Sequence, residues 1–564
     1  MTLMSLFRTK SIQDSLNDTF EEGRTLKRTL GPWDLAIMGV AVAVGAGIFS
    51  VGAKAAGSFA GPSVVLSFVL AAATCFLAIM CYAEFASSVP VAGSAYTFTY
   101  ATLGELLAWI IGWDLILEML TAAAVIAKYW GIYLSNVFDY WNWDIPSTIN
   151  VLGLDVSWGA FVIVAIFTAL LIAGTKLSAR VSNVFTVIKV AIVVFVVIVG
   201  FFYVNPANYV PFIPEAQPVT GSDTAVWEQS LFSFVSGAAP SQYGVFGLLA
   251  AASLVFFAFV GFDVVATSAE EVKNPQKNLP KGIFWGLGIV TVLYILVSLV
   301  ITGMVSYKDL AAAGGDASLD LAFKLVGAEW AGQIISIGIL VGLTTVIMVL
   351  LLGLARVIFA MSRDGLLPRM LSKTGANTHT PIRTQVICGL VVALIAGLTD
   401  VGVLEEMINI GTLSAFVLVS LGIIVLRKKN PRVKGAFRVP FSPYVPILSA
   451  ALCLWLMFNL TTLTWVRFLV WLALGFVIYF TYSRRNSVLG KKLKAEAAAA
   501  AASAGAPGTS APGTSATGNV STGTIQTGAS SGGTSSAGAS SAEASSVEGS
   551  PVEGPSDETD TRDR

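Results

Sequence analysis

Charge is scarce in this chain. Only 12% of its 564 residues are Asp, Glu, Lys or Arg, 55% are hydrophobic, and the mean hydropathy is +0.76. A soluble domain carries roughly twice that charge, so a soluble globular protein is excluded. Histidine is all but missing: His379 is the only one, with no serine or cysteine constellation around it. P-loop, metal and dinucleotide motifs are absent as well. No catalytic residues, metal site or cofactor are therefore expected, and no nucleic-acid partner. The start, Met1 to Leu30, lacks the short apolar core of a cleavable leader. Cysteine is limited to Cys75, Cys81, Cys388 and Cys453, all within apolar runs, where they read as small hydrophobes and not as disulfides or ligands.

What the chain has is length in apolar runs. Stretches of about twenty residues, each enough to cross a ~30 Å hydrocarbon core, recur at about 33–56, 62–86, 103–127, 157–175, 181–203, 243–268, 282–305, 331–359, 383–400, 403–426, 443–463 and 465–483. The expected class is an all-α polytopic membrane protein with twelve transmembrane helices. The zero net charge hides a sorting by side. With the N-terminus cytoplasmic, 26 of the 34 Lys and Arg fall in inner segments and 5 in outer loops, which places both termini inside. From about Lys494 the composition turns to Ala, Gly, Ser and Thr. Such a segment buries too little apolar surface to fold, so a disordered tail is expected over 494–564.

The first span carries a weak point, Gly45-Ala46-Gly47-Ile48-Phe49, at its centre. Two glycines invite local unwinding. The sixth span has another at Phe256-Phe257-Ala258-Phe259-Val260-Gly261-Phe262. Unwound backbone at membrane depth is tolerable where it is buried in protein or lines a cavity, and paired broken spans point to a transporter's binding site. An unwound segment offers N–H groups to an anion and carbonyls to a cation. Two facing breaks therefore suit the carboxylate and ammonium of a free amino acid. The bland alternative is that these glycines only permit close helix packing.

Together with these breaks, Tyr82-Ala83-Glu84-Phe85, Pro90, Gly93-Ser94-Ala95-Tyr96, Gly112-Trp113-Asp114, Glu118, Glu270-Glu271-Val272-Lys273-Asn274-Pro275 and Met361-Ser362-Arg363-Asp364-Gly365 make a set that resembles the amino acid–polyamine–organocation superfamily, in its cationic amino acid transporter branch. The likeness runs from about Arg24 to Arg485. It implies a five-plus-five inverted repeat, residues 33–203 and 243–426, with discontinuous helices 1 and 6, preceded by a cytoplasmic segment over 1–32 and followed by two further helices over 443–483. It implies secondary transport by alternating access; twelve spans fit bacterial members. Carried over, the carboxylate site falls on the backbone of Gly45, Ala46 and Gly47, with Ile48 beside them. The ammonium site falls on the carbonyls of Phe257, Ala258 and Val260. Phe256 and Phe259 would wall or gate the side-chain pocket, Glu118 would lie near its distal end, and Ile347 would limit its depth.

Lys189 lies inside the fifth span, nine residues from Arg180, roughly 13 Å deep. A charged lysine there costs at least ~2.5–3.5 kcal/mol, so it needs a partner or loses its proton. By resemblance it replaces the cation of sodium-coupled proteins of this fold, which implies proton coupling without a sodium site. A permanently bonded structural lysine is the other reading. Glu84 and Asp263 read as inner-gate or packing acids, Arg363 and Asp364 as a structural turn. The expected function is a proton-coupled amino acid permease of a bacterial cytoplasmic membrane, taking cationic or small neutral amino acids. Its expected partners are the free amino acid and the lipid bilayer, with no obligatory protein partner. An exchanger or polyamine antiporter is the runner-up, and an ion channel or receptor the rival from another class.

Overall fold

The computed structural model describes residues 8–10, 30–88, 94–151, 153–173, 179–218, 227–237, 241–262, 265, 272–314, 317–375, 380–429 and 437–504. Asp263, His379, most of the 1–32 segment, the motif stretches 89–93 and 266–271 and the tail beyond 504 lie outside the described residues.

Helix dominates, because in hydrocarbon a backbone must satisfy its own polar groups. The main helices are α1 (Pro32–Ala43), α2 (Val64–Ser88), α3 (Glu105–Tyr140), α4 (Trp158–Ile172), α5 (Ala179–Phe201), α6 (Gly244–Val255), α7 (Pro275–Met304), α8 (Glu329–Arg363), α9 (Ile382–Leu398), α10 (Val401–Lys429), α11 (Tyr444–Phe458) and α12 (Thr462–Ile478). Among the described residues, seven helical segments are long and apolar enough to cross a membrane, and five further apolar helices are shorter. Between α1 and α2 the chain runs through π-helical and α-helical turns over 47–60. A final helix, Val488–Ala504, carries regular structure into the segment where the composition from Lys494 onward reads as disordered.

Helix α3 is the axis. Its 36 residues reach about 54 Å at 1.5 Å each, and it is buried along nearly its whole length. It packs against α8 and α10, while α7 packs against α1 and α2. Helix α5 lies at the edge: Val187 is 67% exposed, whereas Lys189 is completely buried. Alternation of lipid-facing and inward-facing residues thus points the one lysine of α5 into the bundle.

One end of the bundle is laced by ion pairs. Arg8 donates to both oxygens of Glu105, Nε to Oε2 at 2.7 Å and Nη2 to Oε1 at 2.5 Å. Lys10 Nζ meets Asp364 Oδ1 at 3.2 Å, and Arg427 clasps Glu84 through Nε and Nη2 at 2.8 and 2.6 Å. The opposite end carries a β-hairpin, β1 (Ile149–Val151) antiparallel to β2 (Leu154–Val156) with Asn150 opposite Asp155.

Candidate functional site

Helix α1 stops after Ala43. Val44 leaves the helical region at φ −71°, ψ 88°, and the chain resumes as a π-helix over Gly47–Val51. Gly45 and Gly47 would have donated to the carbonyls of Ala41 and Ala43 in an unbroken helix. Those carbonyls find other partners. Ala41 O accepts from Lys189 Nζ at 2.6 Å. Ala43 O accepts from the Tyr294 hydroxyl at 2.6 Å. The Lys189 Nζ therefore sits at the C-terminal end of α1, where the helix dipole favours positive charge.

Helix α6 tightens into a 3₁₀ turn over Phe256–Phe259, and Val260 is extended. Gly261 follows at φ +113°, a left-handed region that side chains avoid. A Cβ there would also lie 2.4 Å from Val42 Cγ1, so the second break abuts the first. The Tyr294 hydroxyl is 2.9 Å from Ala258 O as well as 2.6 Å from Ala43 O. A phenol has one proton, so it serves one carbonyl at a time and couples the two breaks.

The breaks touch. A Cβ on Gly47 would fall 2.4 Å from Ala258 Cα. Between them lies a cavity of about 20 Å³, walled by the 42–47 segment, Phe257, Val260, Ala122, Ile126, Val346 and Leu350. A void of that size takes a water molecule and no amino acid. A headgroup enters only when the breaks part.

Of the residues named from the sequence, Gly45, Ala46, Gly47, Phe257 and Val260 line this cavity. Ala258 forms the contact with Gly47. Ile48 is fully buried in the π-helical turn. Phe256 is edge-on to Phe416 at 6.1 Å, and Phe259 is edge-on to Tyr294 at 5.2 Å; both are packed outside the cavity. Ile347 is fully buried but does not line it. The α8 residues that do are Val346 and Leu350, so the face of that helix is turned by one residue from expectation. Glu118 is buried one turn from Asp114 and four residues before Ala122, on the same face of α3, but is not part of the wall of the small cavity. Asp114 Oδ2 accepts from Ser414 at 2.8 Å. Glu84 is held by Arg427 and by the Val439 N–H at 2.7 Å, far from both breaks along the chain. Asp364 takes Lys10 and the Tyr96 hydroxyl, the latter at 2.7 Å. Tyr294 went unseen in the sequence. The available signal was a phenol in the middle of an apolar run, which requires a buried partner.

Nothing in this constellation performs bond chemistry. It can bind, release and change shape. The sequence pattern of the amino acid permease family matches residues 30–482. The chain is 44% identical to the branched-chain amino acid permease BcaP of Bacillus subtilis (strain 168) over 494 residues, covering 86% of this chain and 99% of that one. It is 42% identical to the methylthioribose transporter of the same organism over 494 residues, covering 87% and 100%. Against the cationic amino acid transporter 4 of Homo sapiens the identity is 34% over 438 residues, covering 76% and 63%. The chain thus belongs to the amino acid permease family of the amino acid–polyamine–organocation superfamily: it is a membrane transporter and not an enzyme.

Proposed function

We propose that this permease is a proton-coupled symporter of neutral aliphatic amino acids that works by alternating access. The observation that carries the reading is the contact between two interrupted helices, five spans apart, around a cavity with backbone polar groups at the breaks and apolar walls. The amino acid carboxylate binds the N–H groups freed at 45–47. Its ammonium binds carbonyls at 257–260. Ile126, Val346 and Leu350 offer an aliphatic side chain no charged partner, which favours branched-chain over cationic substrates; the likeness to a branched-chain amino acid permease points the same way. Lys189 carries the coupling proton, since its Nζ bonds a carbonyl of the broken helix itself, so its protonation and the break's geometry are linked. Two interrupted helices five spans apart support a five-plus-five inverted repeat, and the seven long and five shorter apolar helices among the described residues support twelve spans. The Lys and Arg asymmetry supports cytoplasmic termini, and the Bacillus relatives support a bacterial plasma membrane.

The test is uptake of radiolabelled L-leucine into proteoliposomes under an imposed inward proton gradient. Saturable, gradient-driven accumulation that is indifferent to sodium is expected. Accumulation that needs internal amino acid would make the protein an exchanger. Flux that neither saturates nor shows counterflow would make it a channel.

A further inference from the structure

A larger cavity, about 280 Å³, opens at the end of the bundle opposite the Arg8–Glu105 pair, beside the Lys54–Glu405 ion pair, whose Glu405 accepts from the cavity-lining Tyr129. One stripe of α3 strings the two cavities together. Ala122 and Ile126 face the small one, and Tyr129, Tyr133, Asn136 and Tyr140 face the large one. These residues recur at alternate spacings of four and three, one helix face. From Ile126 to Tyr133 the rise is about 10 Å. The floor between the cavities is polar. The Tyr133 hydroxyl lies 3.1 Å from Ser50 Oγ and 3.2 Å from Phe49 O, on the π-helical turn that follows the first break.

The chemistry of the large cavity is not that of the small one. Asp320 is 95% buried in its wall, with 5% of its surface exposed. Asn136 Nδ2 donates to Asp320 Oδ2 at 3.1 Å, and Ser318 Oγ to Oδ1 at 2.7 Å. A carboxylate offers about four acceptor positions, so capacity is left. Among the described residues no cation lies within ion-pair distance of it. Asp139 and Lys324 stand exposed at the mouth. A buried carboxylate held only by neutral donors, on the wall of a cavity, gains from a cation that enters it.

We propose that this cavity is a second, outer binding site for a primary ammonium group, which receives the amino acid before it reaches the breaks. The ammonium lies against Asp320, the carboxylate toward Lys324, and the Tyr133–Ser50 contact is the barrier that the substrate then passes. The identity of the ligand rests on the reading of this chain as an amino acid permease; the preference for a cation does not.

The test uses a cysteine reporter, Leu321→Cys, in the purified full-length protein in detergent, where both ends of the bundle are accessible. The chain's own four cysteines are free and buried. Leu321 lines the cavity without joining its hydrogen bonds. The trimethylammonium-ethyl methanethiosulfonate reagent is expected to label the reporter about tenfold faster than the sulfonatoethyl reagent, by local concentration of counter-charge. Methylammonium chloride, against an equal concentration of sodium chloride, slows the labelling. Adding Asp320→Asn brings the two reagent rates within about twofold and removes the methylammonium effect. In proteoliposomes Asp320→Asn raises KM for L-leucine about tenfold. Equal rates for the two reagents without Asp320→Asn, or no protection by methylammonium, overturn the site, and that comparison stands even if Asp320→Asn fails to fold. Failure of L-leucine transport with the reagent preference intact would overturn the permease substrate and leave the cation site.

Discussion

Replacing Gly47 with alanine sets a methyl carbon 2.4 Å from Ala258 Cα and 2.6 Å from its Cβ. Ordinary carbon contact begins about 1 Å further out, so the two breaks must separate by that much. Overpacking of this kind costs about 1–3 kcal/mol. The penalty falls on the closed arrangement alone, because in any open form the segments have already parted. A bias of that size shifts the equilibrium away from closure by about 5- to 150-fold. Each transport cycle passes through closure, so the maximal rate of L-leucine counterflow in proteoliposomes falls by about the same range while the protein still folds. Gly45→Ala is the control. A Cβ there meets only the Ile126 and Val346 side-chain ends at 3.6 and 3.8 Å, which is ordinary contact, so closure survives and the loss appears in affinity. Wild-type rate and affinity for Gly47→Ala would refute the reasoning. Equal damage from both substitutions would reduce the two glycines to general helix packing.

Two further outcomes follow from the same geometry. Lys189→Met keeps most of the buried stem and removes the donor to Ala41 O, so uptake driven by a proton gradient falls at least tenfold while leucine–leucine exchange continues; unchanged gradient-driven uptake would remove Lys189 as the coupling group. Tyr294→Phe leaves the carbonyls of Ala43 and Ala258 without their shared donor, at a penalty of about 1–3 kcal/mol for buried polar groups left unmet. It is expected to raise the accessibility of the breaks in hydrogen–deuterium exchange over 43–47 and 256–260, and unaltered exchange there would contradict the coupling role.

Both interruptions were legible in the sequence because glycine is a poor helix former and an interruption in hydrocarbon is expensive. Lys189 was legible for a similar reason: a charge in an apolar run must be accounted for, wherever it points. The orientation of α8 was not. Val346 and Ile347 are both aliphatic, and one residue turns a helix by about 100°, so only the neighbours decide which of them faces the cavity. Tyr294 gave no spacing signal, since its role depends on two carbonyls more than thirty and two hundred positions away in the chain. The outer cavity was equally hidden. Ser50, the far turn of α3 and the 318–324 stretch have nothing in common until the fold brings them to one place. Glu118 is a case between these: four residues before Ala122 it shares the α3 face that lines the small cavity, and the wall of the closed cavity stops short of it.

The most direct measurement is a cryo-electron microscopy map of the full chain in lipid nanodiscs with saturating L-leucine. The account predicts ligand density between the backbone of 45–47 and that of 257–260, with Gly47 and Ala258 moved apart to admit it. Density for leucine elsewhere, with those two residues still in contact, would contradict it.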